Sequence, residues 1–237
     1  MSAANPPPPD ETSVALRGDF LASPLSSLVL QAFRRAMELQ HKLPAETLAM
    51  QGMSGRKYRY FINNLVALLG EPAYLEVGSW AGSTACAAMH GNSGKFLCID
   101  NWSEFGGPKD LFIANTRGAK NPRTDFQFLE SDFRAVDYTS LGLFNIFLFD
   151  GPHESKDQYD GLVLALPALH REFVFIVDDW NWERVRQGTF SGLKDGGVSI
   201  LSSIQIKTNQ HNGTPALKFE KSEWHNGYFI AHCLKTK

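Results

Sequence analysis

The chain reads as an α/β domain on a doubly wound, Rossmann-like sheet. The sheet is mostly parallel and seven-stranded, with an antiparallel C-terminal strand and an N-terminal helical addition. Three observations predict this. Short apolar runs alternate with helical segments from residue 73 to residue 178, four of those runs end in an acid, and the first run leads into a glycine turn that opens an Ala-rich helix.

Residues 1–13, with four consecutive prolines, read as a disordered, Pro-rich tail. Residues 14–70 read as a helical cap. Within it, 24–42 carries Leu25, Leu28, Val29, Ala32, Phe33 and Ala36 at helical spacing behind Pro24. Residues 54–69 place Tyr58, Phe61, Ile62, Leu65 and Leu69 on one face, with Ser54 as N-cap and Gly70 as stop. Residues 71–237 form the main domain. Its predicted strands are 73–77, 95–100, 126–130, 144–150 and 173–178, with helical segments near 83–90, 109–118, 132–137 and 154–170. The continuous apolar run Phe144-Asn-Ile-Phe-Leu-Phe suits a parallel strand buried on both faces. After a helix near 182–193, the runs 198–207 and 227–234 are joined by a polar turn and should pair antiparallel.

Composition narrows the function. The 237 residues hold 23 basic and 25 acidic side chains, a net charge of −2, with no Lys/Arg block, so there is no basic field for a nucleic-acid backbone. No apolar stretch reaches membrane-spanning length, and the first residues lack the pattern of a secretory signal. The three cysteines, Cys86, Cys98 and Cys233, show no metal spacing and read as buried free thiols. A cytoplasmic protein is expected.

The segment Tyr74-Leu-Glu-Val-Gly-Ser-Trp-Ala-Gly-Ser-Thr84 is the strand–turn–helix at which a nucleotide-like cofactor rests in α/β sheets. Its glycines allow left-handed backbone or close approach to a ligand. The spacing Glu-x-Gly-x-x-x-Gly departs from the dinucleotide fingerprint. It resembles motif I of the class I S-adenosylmethionine (SAM) methyltransferases. That resemblance implies cofactor contacts at Glu76, Gly78, Ser79, Gly82 and Ser83. An ordinary strand-to-helix turn would carry the same residues.

Asp100, 24 residues after Glu76, ends the second strand, where Rossmann-like logic expects an acid for the ribose hydroxyls. Asn101 follows it. Ser131 and Asp132 resemble the position at which this superfamily holds the adenine edge. Residues 52–56 resemble a loop closing over the methionine end of SAM, with Met53 and Ser54 as contacts; a plain helix cap at Ser54 is the other reading.

Asp150, Asp178 and Asp179 form a second constellation. If their strands are neighbours, two ionised carboxylates about 5 Å apart repel by roughly 3 kcal/mol at an effective dielectric of about 20. A proton, a basic side chain or a cation must offset this, and an oxygen-only set suits Mg²⁺, Mn²⁺ or Ca²⁺. The segments Phe149-Asp-Gly-Pro-His-Glu-Ser and Ile176-Val-Asp-Asp-Trp, with 28 residues between Asp150 and Asp178, look like the metal motifs of Mg²⁺-dependent O-methyltransferases of the macrocin and catechol types. The resemblance covers about residues 52–190. It implies Asp150, Asp178 and Asp179 as metal ligands, Asp150 also touching the cofactor, and His153 as the base that deprotonates the acceptor hydroxyl. A helix-start histidine paired with Glu154 or Asp157 is the bland alternative. Pro152 stands where some macrocin-type enzymes carry an acid, which shifts the base role towards His153. Trp102, Trp180 and Trp182 follow acidic strand ends and could stack on a ligand or pack beneath loops.

The expected activity is therefore SAM-dependent, metal-assisted O-methylation of a small hydroxylated molecule, a sugar or a phenol. No nucleic-acid or membrane partner is expected, and a homodimer is left open. Two other readings stand beside it: a Rossmann-like metal-dependent enzyme acting on a nucleotide-sugar, and a non-catalytic SAM-binding module.

Overall fold

The computed structural model describes residues 11–215, 217 and 221–236; the Pro-rich stretch up to residue 10 lies outside the described residues. Eight strands form one sheet: β1 (Ser13–Gly18), β2 (Ala73–Val77), β3 (Gly94–Asp100), β4 (Thr124–Glu130), β5 (Phe144–Phe149), β6 (Leu169–Val177), β7 (Val198–Lys207) and β8 (Tyr228–Lys235). Their order is β1-β7-β8-β6-β5-β2-β3-β4. The five strands from β6 to β4 pair in parallel, whereas β8 runs antiparallel to both β6 and β7.

Seven of these strands are the expected ones. The eighth, β1, pairs antiparallel with β7, so the cap opens with a strand at residues read as tail end and helical region. Its local signal is weak. Val14 and Leu16 alternate with polar or small residues but remain over 40% exposed, and the partner that creates the strand lies near residue 205.

Helices cover both faces. On one side lie α1 (Pro24–Met37), α2 (Ala45–Leu48), α3 (Arg56–Leu68), α4 (Ser83–Met89) and α5 (Lys109–Ala119). On this side Val29, Phe61, Ala87 and Phe112 pack on Tyr74, Phe96 and Ile146 of the sheet. On the other, α6 (Ser155–Ala165) and α7 (Glu183–Asp195) bring Leu162, Val185 and Leu193 against Phe147, Phe149 and Phe175. Truncating a fully buried side chain such as Phe61 would cost about 3–5 kcal/mol. Among the described residues no helix is long and apolar enough to cross a membrane.

Three helical segments are shorter than their periodicity suggested, 154–170 among them, because Pro167 sits in a 3₁₀ turn after Ala165 and Leu169 already enters β6. The first ends at Met37, because Leu39 adopts a left-handed φ of 59°. The segment 132–137 contracts to the 3₁₀ turn Phe133–Ala135, whose N-cap Asp132 accepts from the Arg134 N–H at 2.8 Å. Arg134 then bridges to α6, reaching Asp157 at 2.5 Å and Asp160 at 2.9 Å.

Burial alone would push the Asp160 carboxyl up, but Lys156 and Arg134 outweigh it and hold it below its ordinary value. A depressed carboxyl stabilises the fold above its unfolded pKa and loses that contribution as pH falls through its folded value. Asp160→Asn should therefore cost about 1 kcal/mol at pH 7, with the difference shrinking as pH drops below about 4. Urea titrations of both proteins at several pH values check this.

Candidate active site

Strand register builds the site. Val77 pairs with Phe149, and Phe149 pairs with Val177, so the next residues, Gly78, Asp150 and Asp178, stand side by side at the carboxyl ends of β2, β5 and β6. The Asp150 N–H donates to Val77 O at 2.9 Å, extending the ladder by one step. Gly78 has φ +86°, and a Cβ there would lie 1.9 Å from the Asp150 carbonyl oxygen, so the β2 turn closes over β5 only with glycine. Gly82, at φ +84°, ends the turn against the Phe112 ring. The expected neighbouring of the two acid-tipped strands is thus realised.

A cavity of about 300 Å³ lies along these tips. Met53, Gly78, Ser79, Ser83, Asp100, Asn101, Ser131, Asp132, Asp150, His153, Asp178 and Asp179 all line it. Three expected cofactor residues do not. Glu76 is fully buried beneath the turn on the α3 side and accepts from the Tyr74 hydroxyl. Burial lifts its carboxyl to about 7, against the pull of the Tyr74 and Ser79 hydroxyls. Gly82 shapes the turn. Ser54 lies outside the cavity lining and is not the N-cap, which is Gly55; its hydroxyl accepts from Arg59 Nε at 3.0 Å and meets Ser83 Oγ at 3.2 Å.

Asp100 carries a role that spacing alone does not reveal. Its Oδ2 accepts from the N–H groups of Ser79 (2.8 Å) and Trp80 (2.7 Å), and its Oδ1 accepts from Trp102 N–H (2.6 Å). One carboxylate therefore pins both the β2 turn and the loop after β3. Trp80 and Trp102 take left-handed φ values of 44° and 49° there. Such strained residues persist where surrounding bonds over-determine them.

The acid cluster differs from the expected ligand set. Asp150, His153 and Asp179 each offer one ligand atom within 4.8 Å of the others. Asp178 is not part of that group. Its Oδ1 turns back to accept from the Asp179 N–H at 2.7 Å, and the side chain is buried. The left-handed backbone of Asp179 (φ 56°) swings the next side chain towards His153 instead. His153 Nε2 lies 2.5 Å from Asp179 Oδ2, so its partner is Asp179, not Glu154 or Asp157. Asn226 Nδ2 donates to the other Asp179 oxygen, and Asn226 in turn accepts from Asn181 Nδ2 at 2.8 Å.

Electrostatics follow this geometry. Burial, then Asp178 and Asp179, pushes the Asp150 carboxyl well above the usual range; burial and Asp179 do the same to Asp178. Burial would raise Asp179 too, but His153, Asn226 and His225 hold it below its ordinary value. Burial disfavours the His153 imidazolium, yet Asp179 outweighs it and raises the ring's pKa. Among the described lining residues there are six carboxylates (Asp100, Glu104, Asp132, Asp150, Asp178, Asp179) and neither lysine nor arginine.

The tryptophans separate. Trp182 lines the cavity, edge-on to His153 at 5.1 Å. Trp180 is fully buried and stacks on Phe229, and Trp102 packs against Phe112 with its indole N–H on Trp80 O. Sequence reasoning missed Trp80, His225 and Asn226, which also line the cavity, whereas Phe105 falls in the segment 101–109, which reads from the sequence as shaping the acceptor pocket. The Trp80 position inside the glycine turn was a usable signal. Nothing local marks His225 and Asn226, because β8 pairing and loop packing bring them in.

The chain matches no protein-family model and no curated protein. Solved structures share its fold. TrmN from Thermus thermophilus superposes with a TM-score of 0.52 at 14% identity over 80% of this chain, which spans only about half (51%) of TrmN. A putative RNA methyltransferase, PH1948 from Pyrococcus horikoshii, gives 0.51 at 15% identity, covering 91% of this chain and 99% of that one. An O-methyltransferase from Bacillus cereus, solved in complex with SAH, gives 0.50 at 16% identity over 87% and 90%. The fold is thus the Rossmann-like methyltransferase fold.

Gly78→Ala should destabilise the protein by about 2 kcal/mol or more, combining left-handed strain with the clash on β5. Gly70→Ala, where an added methyl meets nothing within 4 Å, should change stability by less than about 0.5 kcal/mol. Denaturant midpoints of the two variants test the contrast.

Proposed function

We propose that this chain is a SAM-dependent methyltransferase that transfers the methyl group to a hydroxyl of a small molecule, with a divalent cation assisting. The observation that carries the reading is the acidic lining of the cavity: six carboxyl groups, of which burial holds Asp150 and Asp178 towards their neutral forms, and no lysine or arginine among its described lining residues. Such a lining favours a sulfonium or ammonium ligand and repels phosphates. It disfavours a pyrophosphate cofactor, a nucleotide-sugar or an RNA backbone, although one similar structure is a putative RNA methyltransferase. The cavity also crosses the tips of β5, β2, β3 and β4, about 14 Å at normal strand spacing, which suits an extended ligand. The similar structure in complex with SAH supports the same donor.

In this reading Asp100, Ser131 and Asp132 face the nucleoside end and Met53 and Ser83 the methionine end. His153 is the base. Asp179 occupies its Nε2, so the ring takes the acceptor's hydroxyl proton on Nδ1, and the neighbouring carboxylate stabilises the imidazolium that results. Asn226 keeps that carboxylate oriented. The acceptor oxygen bonds to the methyl carbon as the carbon–sulfur bond breaks, releasing S-adenosylhomocysteine. The residues fit a cation: Asp150 and Asp179 would hold it through carboxylate oxygens, a donor set that suits Mg²⁺ or Mn²⁺, while His153 keeps its ring nitrogens for Asp179 and the acceptor's proton. When bound, it would supply positive charge to the developing oxyanion. Asp178 acts behind the cluster by holding the Asp179 backbone.

The test is turnover with SAM and Mn²⁺ or Mg²⁺ on a panel of hydroxylated sugars and phenols, read as a methylated product by mass spectrometry. His153→Gln and Asp179→Asn should each lower kcat by about 100-fold or more, while calorimetric binding of S-adenosylhomocysteine persists. Turnover unchanged in chelator removes the cation from the mechanism. Failure to bind S-adenosylhomocysteine at all overturns the methyltransferase reading.

A further inference from the structure

The start of α3 touches two separate walls of the cavity, and neither contact belongs to the chemistry above. The first is made by Arg59, whose side chain is fully buried. Its Nη1 donates to the carbonyls of Thr47 (3.2 Å), Leu48 (3.1 Å) and Met50 (2.9 Å), its Nη2 to Gly52 (3.4 Å), and its Nε to the Ser54 hydroxyl (3.0 Å). A buried guanidinium is costly unless its planar fork is well supplied with acceptors, and here a single short segment supplies them. That segment carries Met53 into the cavity, and behind the lining the Ser54 hydroxyl meets that of Ser83. The fit is close, since a Cβ on Gly52 would lie 1.9 Å from Ser83 Oγ.

The second contact lies one turn earlier. Arg56 N–H donates to Ser222 O and Lys57 N–H to Glu223 O, each at 2.9 Å. The Arg56 and Lys57 side chains both pair with the Glu223 carboxylate. A Cβ on Gly55 would stand 2.5 Å from Glu223 O and 2.7 Å from His225 N. This segment presents His225 and Asn226 to the cavity, and Asn226 holds Asp179.

We propose that the first turn of α3 is a two-sided clamp: Arg59 is the positioning residue for the cofactor-side lip at 50–54, and the Gly55–Lys57 turn positions the 222–226 segment that orients Asp179. The assignment of sides rests on the methyltransferase reading; the clamp itself does not. Its consequence is separability. Loosening one contact should alter donor binding, and loosening the other should alter the chemical step.

The experiment compares Arg59→Lys with Gly55→Ala in the full chain. Arg59→Lys keeps the charge but loses the fork, and should raise the Kd for S-adenosylhomocysteine at least about tenfold while kcat at saturating SAM stays within about threefold. Gly55→Ala should leave that Kd within about threefold and lower kcat at least about tenfold. Hydrogen exchange of the free proteins gives a second readout: Arg59→Lys should speed exchange at 50–54 only, and Gly55→Ala at 222–226 only. Should Arg59→Lys fail to fold, Ser54→Ala, which removes one acceptor, takes its place with the same expected direction. Equal movement of both parameters in both variants, or no change in either exchange region, overturns the clamp. If the wild-type chain does not bind S-adenosylhomocysteine but the two exchange patterns appear, the methyltransferase reading fails and the clamp stands.

Discussion

Five in-register parallel strands impose the constraint from which the site follows. Because β2, β5 and β6 end level with one another, whatever residues follow them are forced into one row. Here that row is Gly78, Asp150 and Asp178. Two acids at neighbouring tips create a repulsion that the protein must offset, and burial with that repulsion holds the Asp150 and Asp178 carboxyls, which stay in contact, well above their usual range and towards the neutral forms. Asp178 turns inward onto a backbone N–H, and Asp179 leaves through a left-handed bend to meet an imidazole. The glycine in the row lets β2 turn away where any side chain would strike β5.

Charge then separates readings that fold alone leaves together. The same architecture occurs in a putative RNA methyltransferase and in an O-methyltransferase among the similar structures, and fold does not choose a substrate. The described lining residues include six carboxyl groups and neither lysine nor arginine, and the proposed small-molecule reading rests on that observation. The Asp100 carboxylate illustrates how one charge serves two ends: three backbone N–H groups organise the loops, and the residue still borders the cavity.

Most of the parallel core was legible in the sequence. Apolar runs with acids at their ends identified β2 to β6 within a few residues, because strands buried on both faces leave little room for other side chains. The glycine turn after β2 and the acids at the strand ends were legible for the same reason. What was not legible depends on long-range pairing. Strand β1 exists through β7, Asn226 reaches Asp179 through β8, and the pairing of Asp179 with His153 comes with a positive φ at Asp179. Periodicity carries no record of such bends. The buried Arg59 also escaped, since a basic residue on an amphipathic helix ordinarily reads as solvent-facing.

The direction of the outer strands has a practical corollary. Ser13 enters β1 opposite Lys207, near the end of the sheet where Val177 meets Phe229 and the cavity opens. Lys235 leaves β8 opposite Val198, at the far end. A body attached to β8 beyond Lys235 therefore leaves the sheet at the end away from the mouth of the cavity.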